Sequence, residues 1–138
     1  MRFAARSTQA IIDQRREQSR RRRAAASTIG SAFPAVETVR VELSFRDSTR
    51  QEPAGQSHLM YPSAHAYFEF ACPYGDCDGS LDLNSVVSSL LTNSTLQAQG
   101  MIQCPGLRTG TAMTKQPCGV HAYYRIAVQY ETKARAAG

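Results

Sequence analysis

Four cysteines constrain this chain more than any other feature of its sequence. Their spacing is C-x4-C, then twenty-six residues, then C-x13-C, and the first pair flanks a short turn that contains proline and glycine. Thiolates are soft ligands that hold Zn²⁺ tetrahedrally, and structural zinc sites are often built from four of them. The sequence therefore predicts one structural metal site, with zinc as its ion and with four ligands: Cys72, Cys77, Cys104 and Cys118.

The apolar residues around the cysteines support this site through their phase. Alternate side chains of a strand share one face. Three of the cysteines continue such rows: Cys72 follows Ala66, Phe68 and Phe70; Cys104 follows Leu96, Ala98, Gly100 and Ile102; Cys118 precedes Val120, Ala122, Tyr124, Ile126, Val128 and Tyr130. These three cysteines are therefore predicted to point from strand ends toward the apolar side.

Two other states of the cysteines stay open at this point, namely two disulfides or four buried thiols without a ligand. The first residues are rich in arginine and contain no apolar segment typical of a secretory signal peptide. We therefore expect a cytoplasmic location, where metal-bound or free thiols are favoured over disulfides. No membrane contact is expected either, since no apolar run approaches the about twenty residues of a membrane-spanning helix.

The charge of the chain is distributed unevenly. Residues 1–35 carry eight arginines against Asp13 and Glu17, a net charge of +6, whereas residues 36–138 carry a net charge of −1. The first segment has few apolar positions and blocks of like charge, so it is predicted to be a disordered or transiently helical arm. Arginine blocks of this kind can bind phosphates. The candidate nucleic-acid contacts are Arg15, Arg16, Arg20, Arg21, Arg22 and Arg23, and a solvated arm or a mitochondrial transit peptide are the alternatives.

The remaining chain predicts an α+β fold. Val39, Val41, Leu43 and Phe45 alternate with polar residues and indicate a strand. Asp82 can cap a following helix whose apolar residues recur at helical spacing. The predicted elements are strands at 38–46, 65–72, 96–104 and 119–131, a helix at 83–92, and a long connection at 47–64 with a solvated His58. They are expected to form a four-stranded antiparallel sheet with one packed helix and the metal site at one sheet end.

No catalytic constellation is predicted. Pro117, Cys118 and His121 resemble the P-C-x-x-C half of zinc deaminases, with His in place of the second Cys. The H-x-E element of that family has no match, because His65 and Glu69 are four positions apart. His121 is in the opposite phase to Cys118 and is therefore expected at the surface.

The four cysteines and their turns resemble zinc-ribbon and zinc-knuckle modules over about residues 66–131. Such modules commonly bind protein or nucleic-acid partners, and the resemblance implies a binding function rather than catalysis. We expect a basic arm at 1–35, a metal-stabilised domain at 36–131 and a flexible tail at 132–138. The near-neutral domain favours a protein partner, and the arm favours nucleic acid as the alternative.

Overall fold

The structure is a computed structural model that describes residues 2–48, 52–108 and 116–131, with side chains from Gln9 onward. Its elements in chain order are α1 (Arg2–Ala25), α2 (Ile29–Ala32), β1 (Val36–Arg46), β2 (Gln56–Met60), β3 (Glu69–Ala71), β4 (Ser80–Asp82), α3 (Asn84–Thr92), β5 (Gln97–Gln103), β6 (Leu107–Arg108), β7 (Gln116–Pro117) and β8 (His121–Tyr130). The predicted flexible tail at 132–138 lies outside the described residues. Within the described ranges, no helix is both long and apolar enough to span a membrane.

A four-stranded antiparallel sheet forms the centre of the fold, with the strand order β2-β1-β8-β5. The alternation predicted for β1 is confirmed, because Val41 and Ile126 lie opposite each other and both are fully buried. The polar residues that alternate with the apolar ones along each strand face outward, so the sheet has one buried and one exposed face. The predicted α+β class and the antiparallel sheet are both confirmed.

The membership of this sheet differs from the prediction at one edge. The segment predicted as the second strand contains only the short strand β3, which pairs with β4 in a separate two-stranded sheet. Phe68 and Phe70 are buried as their phase predicts. The backbone N–H of Phe68, however, donates to the Asn84 side chain, and its C=O accepts from Leu83. The edge position is taken by β2, which lies inside the predicted connection 47–64.

His58 belongs to β2 and is not the solvated loop residue that was predicted. Its ring stacks on Phe70 with the ring centroids 4.5 Å apart. Burial, and secondly the positive charge of Arg23, lower the pKa of His58. The imidazole thus serves as a half-buried neutral ring that fills the gap between β2 and β3.

The predicted helix is confirmed as α3. Asp82 Oδ1 accepts a hydrogen bond of 2.9 Å from the backbone N–H of Asn84, which satisfies one of the free donors at the helix start. Val87, Leu90 and Leu91 are buried against the apolar face of the sheet, as their helical spacing predicts.

The N-terminal segment, which was predicted to be disordered or transiently helical, is helical in the structure. Residues 2–25 form the helix α1, and Ile12 is only 1% exposed. Two effects offset the repulsion between arginines. Glu17 lies within 2.7 Å of Arg20 and 3.3 Å of Arg21, and Arg23 donates to the C=O of Glu69 at 2.6 Å. Ile29, in the short helix that follows, belongs to the main apolar core.

Ile12 provides a test of how α1 is held. We expect Ile12→Ala to lower the free energy of local opening of α1 by about 2 kcal/mol, because a buried apolar side chain is removed. Amide hydrogen exchange over residues 13–24 measures this change. The adjacent Ile11, which is only partly buried, is the matched control, and Ile11→Ala should have a much smaller effect. Equal exchange in both variants would contradict the docking of α1 through Ile12.

Candidate metal centre

The four cysteines come from four separate points of the chain and meet at one end of the fold. Cys72 follows β3 directly, Cys77 lies in the turn before β4, Cys104 follows β5, and Cys118 lies between β7 and β8. All four are buried, with exposures between 1% and 7%. The phase prediction is thereby confirmed for the three cysteines at strand ends.

The sulfur atoms have the spacing of a metal site. The four Sγ atoms all lie within 4.8 Å of one another, and the pairs Cys72–Cys118 and Cys77–Cys104 are 3.6 Å apart. Ligands at about 2.3 Å from a tetrahedral ion would be about 3.8 Å from each other. The cysteines are free, and 3.6 Å is well beyond a sulfur–sulfur bond. The group could therefore hold one metal ion.

Two turns of the same sequence pattern bring these sulfurs together. Each is a Cys-x-Gly turn in which the backbone N–H of the glycine donates to the sulfur two positions earlier. Gly79 N–H donates to Cys77 Sγ at 3.3 Å, and Gly106 N–H donates to Cys104 Sγ at 3.5 Å. Hydrogen bonds to a charged acceptor stabilise the charge, so these bonds favour the thiolate form that a metal requires.

The two Cys-x-Gly turns pack directly on each other through their glycines. A Cβ atom on Gly79 would lie 2.7 Å from Cys104 Sγ and 2.7 Å from Gly106 Cα. A Cβ atom on Gly106 would likewise lie 2.7 Å from Cys77 Sγ. No side chain fits at either position, and the absence of a Cβ is what allows each turn to approach the other's sulfur.

Asp78 links the first turn to the second and to α1. Its Oδ1 accepts from the backbone N–H of Leu107 at 2.7 Å, and its own backbone N–H donates to the Leu107 C=O at 3.1 Å. Its Oδ2 lies 3.5 Å from the guanidinium of Arg15. The carboxylate is nearly buried, so these partners are required to offset its desolvation.

Arg108 supports the outer side of the same turns. Its Nε donates to Asp76 at 2.9 Å, and its guanidinium lies 3.8 Å from the ring centre of Tyr74. Among the described residues, its buried Nη1 has no hydrogen-bond partner. Tyr74 is itself fixed by a 2.7 Å hydrogen bond from its hydroxyl to Asp47. This cation–π stack braces the segment between Cys72 and Cys77.

The thiols influence one another's protonation strongly. Hydrogen bonding, first to Cys104 and then to the other thiols, raises the pKa of Cys72, and burial adds to this effect. Hydrogen bonds from Cys104 and its neighbours lower the pKa of Cys118. Four thiolates together require a cation among them.

The other predicted residues lie elsewhere or have other partners. His121 begins β8 and pairs with Arg46 and Gln103, away from the sulfur cluster. Glu69 accepts from Ser19, and His65 Nδ1 lies 2.7 Å from the C=O of Ala26. The histidine and glutamate of a deaminase-like site therefore do not converge on the cysteines.

The six candidate arginines are carried by α1, and their role in nucleic-acid binding stays a prediction. Arg15 and Arg16 reach the cysteine-bearing segments 72–79 and 104–106, which we call the metal turns. There they donate to the C=O groups of Asp78 and Gly75, each at 3.4 Å. Arg23 binds the C=O of Glu69 and lies over the ring of Tyr67.

Sequence reasoning missed the glycines and Asp78. The signal that could have found them is the Cys-x-Gly pattern, which occurs in the sequence at both Cys77 and Cys104.

Comparison of the chain with protein-family models, curated proteins and solved structures finds no match. The fold and the sulfur cluster define an α+β protein with a candidate four-cysteine metal centre.

The ligand set can be tested by substitution. We expect one metal ion per chain, and we expect Cys72→Ser, Cys77→Ser, Cys104→Ser or Cys118→Ser to weaken its binding by more than about 100-fold. Loss of a ligand should exceed the about 10- to 100-fold effect of a residue that only orients one. Native mass spectrometry and competition with a coloured chelator measure this. His121→Ala is the control and should keep the ion; the opposite result would refute the ligand set.

The packing of the glycines makes a second test. We expect Gly79→Ala or Gly106→Ala to abolish tight metal binding and to lower the melting temperature, because the added methyl group pushes the two turns apart. Gly75→Ala is the matched control, since a Cβ at that position meets nothing within 4 Å. Metal affinity and thermal unfolding should be nearly unchanged in this control. Tight metal binding by Gly79→Ala would show that the turns are not held in this contact.

Proposed function

We propose that this protein is a small intracellular, cytoplasmic binding module that is stabilised by zinc and docks onto a protein partner without catalysing a reaction. Zinc is favoured because four thiolates match its preference for a closed tetrahedral site. With four protein ligands, such an ion keeps no position for a substrate, which favours a structural role over a catalytic one.

The exposed face of the main sheet is the observation that carries the protein partner. Tyr123 on β8 and Met101 on β5 lie directly opposite each other on this face and are 46% and 48% exposed. Ser44 on β1 is the neighbour of Tyr123 on the other side. An aromatic ring and a methionine side chain that lie next to each other on a sheet surface form an apolar area whose exposure to water is unfavourable.

Polar residues surround this apolar pair. Glu42, Arg125 and Gln99 form the next row across the three strands. These six residues are half of the twelve that line a shallow depression of about 900 Å³, and we call them the Tyr123 patch: Tyr123, Met101, Ser44, Glu42, Arg125 and Gln99. Protein interfaces have this composition, with Tyr, Met and Arg enriched and a polar rim around an apolar centre.

The patch and the metal centre have different roles in this proposal. The metal fixes the ends of β5 and β8, through Cys104 and Cys118, and so holds in place the two strands that carry the apolar pair. A partner would offer an apolar pocket to Tyr123 and polar groups to the rim. Metal removal should therefore weaken partner binding indirectly, through the fold.

The test is direct capture of the partner. A photo-reactive phenylalanine analogue at position 123, expressed in the source cells, should cross-link to a protein whose band survives nuclease treatment. With that partner in hand, Tyr123→Ala should weaken binding by at least about 30-fold, the usual effect of a central interface tyrosine.

Tyr61→Ala is the matched control, since Tyr61 is also exposed, at 55%, but lies outside the patch. It should leave the affinity unchanged. Equal effects of the two substitutions, or a cross-linked product that nuclease removes, would refute the proposed interface.

A further inference from the structure

The helix α1 and the metal turns enclose a groove of about 560 Å³. Five arginines of α1 line one side: Arg15, Arg16, Arg20, Arg22 and Arg23. The opposite side is formed by β3, β4 and the two Cys-x-Gly turns. We call this space the arginine groove. It lies on different elements from the Tyr123 patch, so each surface can be tested without the other.

Three of these arginines are fixed by hydrogen bonds to backbone carbonyl groups. Arg15 donates to Asp78, Arg16 to Gly75 and Arg23 to Glu69. A guanidinium has five N–H donors, so one such bond fixes the group and leaves other donors for a ligand. Side chains that are already ordered lose less entropy when a ligand binds.

The charge of the groove is positive. Five guanidinium groups face two carboxylates, Glu69 and Asp78, which leaves a net charge of +3. A divalent ion bound by four thiolates, of which Cys77 lines the groove, would reduce this charge to +1. Both carboxylates have donors of their own, Ser19 in one case and Leu107 with Arg15 in the other. The guanidinium groups also remain reachable from solvent, since the side chains of Arg15 and Arg20 are 57% and 73% exposed.

The shape of the arginine row indicates the class of ligand. From Arg15 to Arg23 the helix rises about 12 Å, which is longer than a single phosphate group and suits several anions in a row. All basic residues of the N-terminal 35 are arginine, with no lysine among them. A guanidinium can bind an anionic group through two parallel hydrogen bonds and can also stack on a base. A nucleic acid offers both kinds of contact, whereas an acidic peptide offers only the first.

We propose that the arginine groove binds the sugar–phosphate backbone of single-stranded nucleic acid, with α1 as one wall and the metal turns as the other. The phosphates lie along the arginine row, and the binding depends on charge rather than on base sequence. The chain would then hold a nucleic acid and a protein partner on separate surfaces.

The experiment uses the full-length, metal-loaded protein and a fluorescein-labelled oligo(dT), with anisotropy recorded at several salt concentrations. The wild-type protein should bind, and the affinity should fall steeply as salt rises. Arg22→Gln should weaken binding by about tenfold and lower the slope of log K against log salt by about 1, as expected for the loss of one phosphate contact.

Arg21→Gln is the matched control because it removes the same charge from the same helix, at a position that does not line the groove. It should bind nearly as the wild type does, and both variants should melt like the wild type. An equal loss in both variants would show a diffuse charge effect and overturn the groove. Two other results would also overturn the groove: a lack of binding at low salt, or displacement of the oligonucleotide by oligoglutamate at equal charge concentration.

Discussion

The direct contact between the two Cys-x-Gly turns is the constraint on which the rest of the structure depends. Gly79 and Gly106 approach so closely that neither could carry a side chain, and this approach brings Cys77 and Cys104 within 3.6 Å. The turns lie far apart in the chain and are linked by the hydrogen bonds between Asp78 and Leu107, to which a metal ion bound by the four cysteines would add. Structural zinc contributes about 10–16 kcal/mol in small peptides, as much as the about 5–15 kcal/mol that stabilises a whole domain.

The order of α1 follows from that constraint. An arginine-rich helix has little stability alone, because its like charges repel and it buries almost no apolar surface. In this structure Ile12 is buried, and the arginines bind carbonyl groups of residues 69, 75 and 78, two of which belong to the segment shaped by Cys72 and Cys77.

The sequence predicts those parts whose packing leaves a periodic pattern. β1, β8 and α3 carry regular apolar rows, and the same phase places three cysteines on the buried side. β2 leaves no such pattern, because it is an edge strand whose inward positions are Gln56, His58 and Met60. Among the side chains of α1 that the structure describes, from Gln9 onward, Ile12 is the one fully buried residue. The helix is otherwise held by hydrogen bonds from arginine side chains to backbone carbonyl groups, and such bonds leave no periodic pattern in the sequence.

A metal ion bound by the four cysteines would make a basic helix beside the site electrostatically favourable. Four thiolates and one divalent cation carry a charge of −2, and they would bring residues 36–138 from −1 to −3. Charges in water interact mainly within about 8 Å at physiological salt, so only nearby cations can offset this centre. Arg15 and Arg108 neutralise Asp78 and Asp76, the two carboxylates beside Cys77, so that these carboxylates do not add to the charge of the centre. The arginines of α1 thus divide into those that neutralise the metal turns and those, such as Arg22, whose charge is directed to the groove and to solvent.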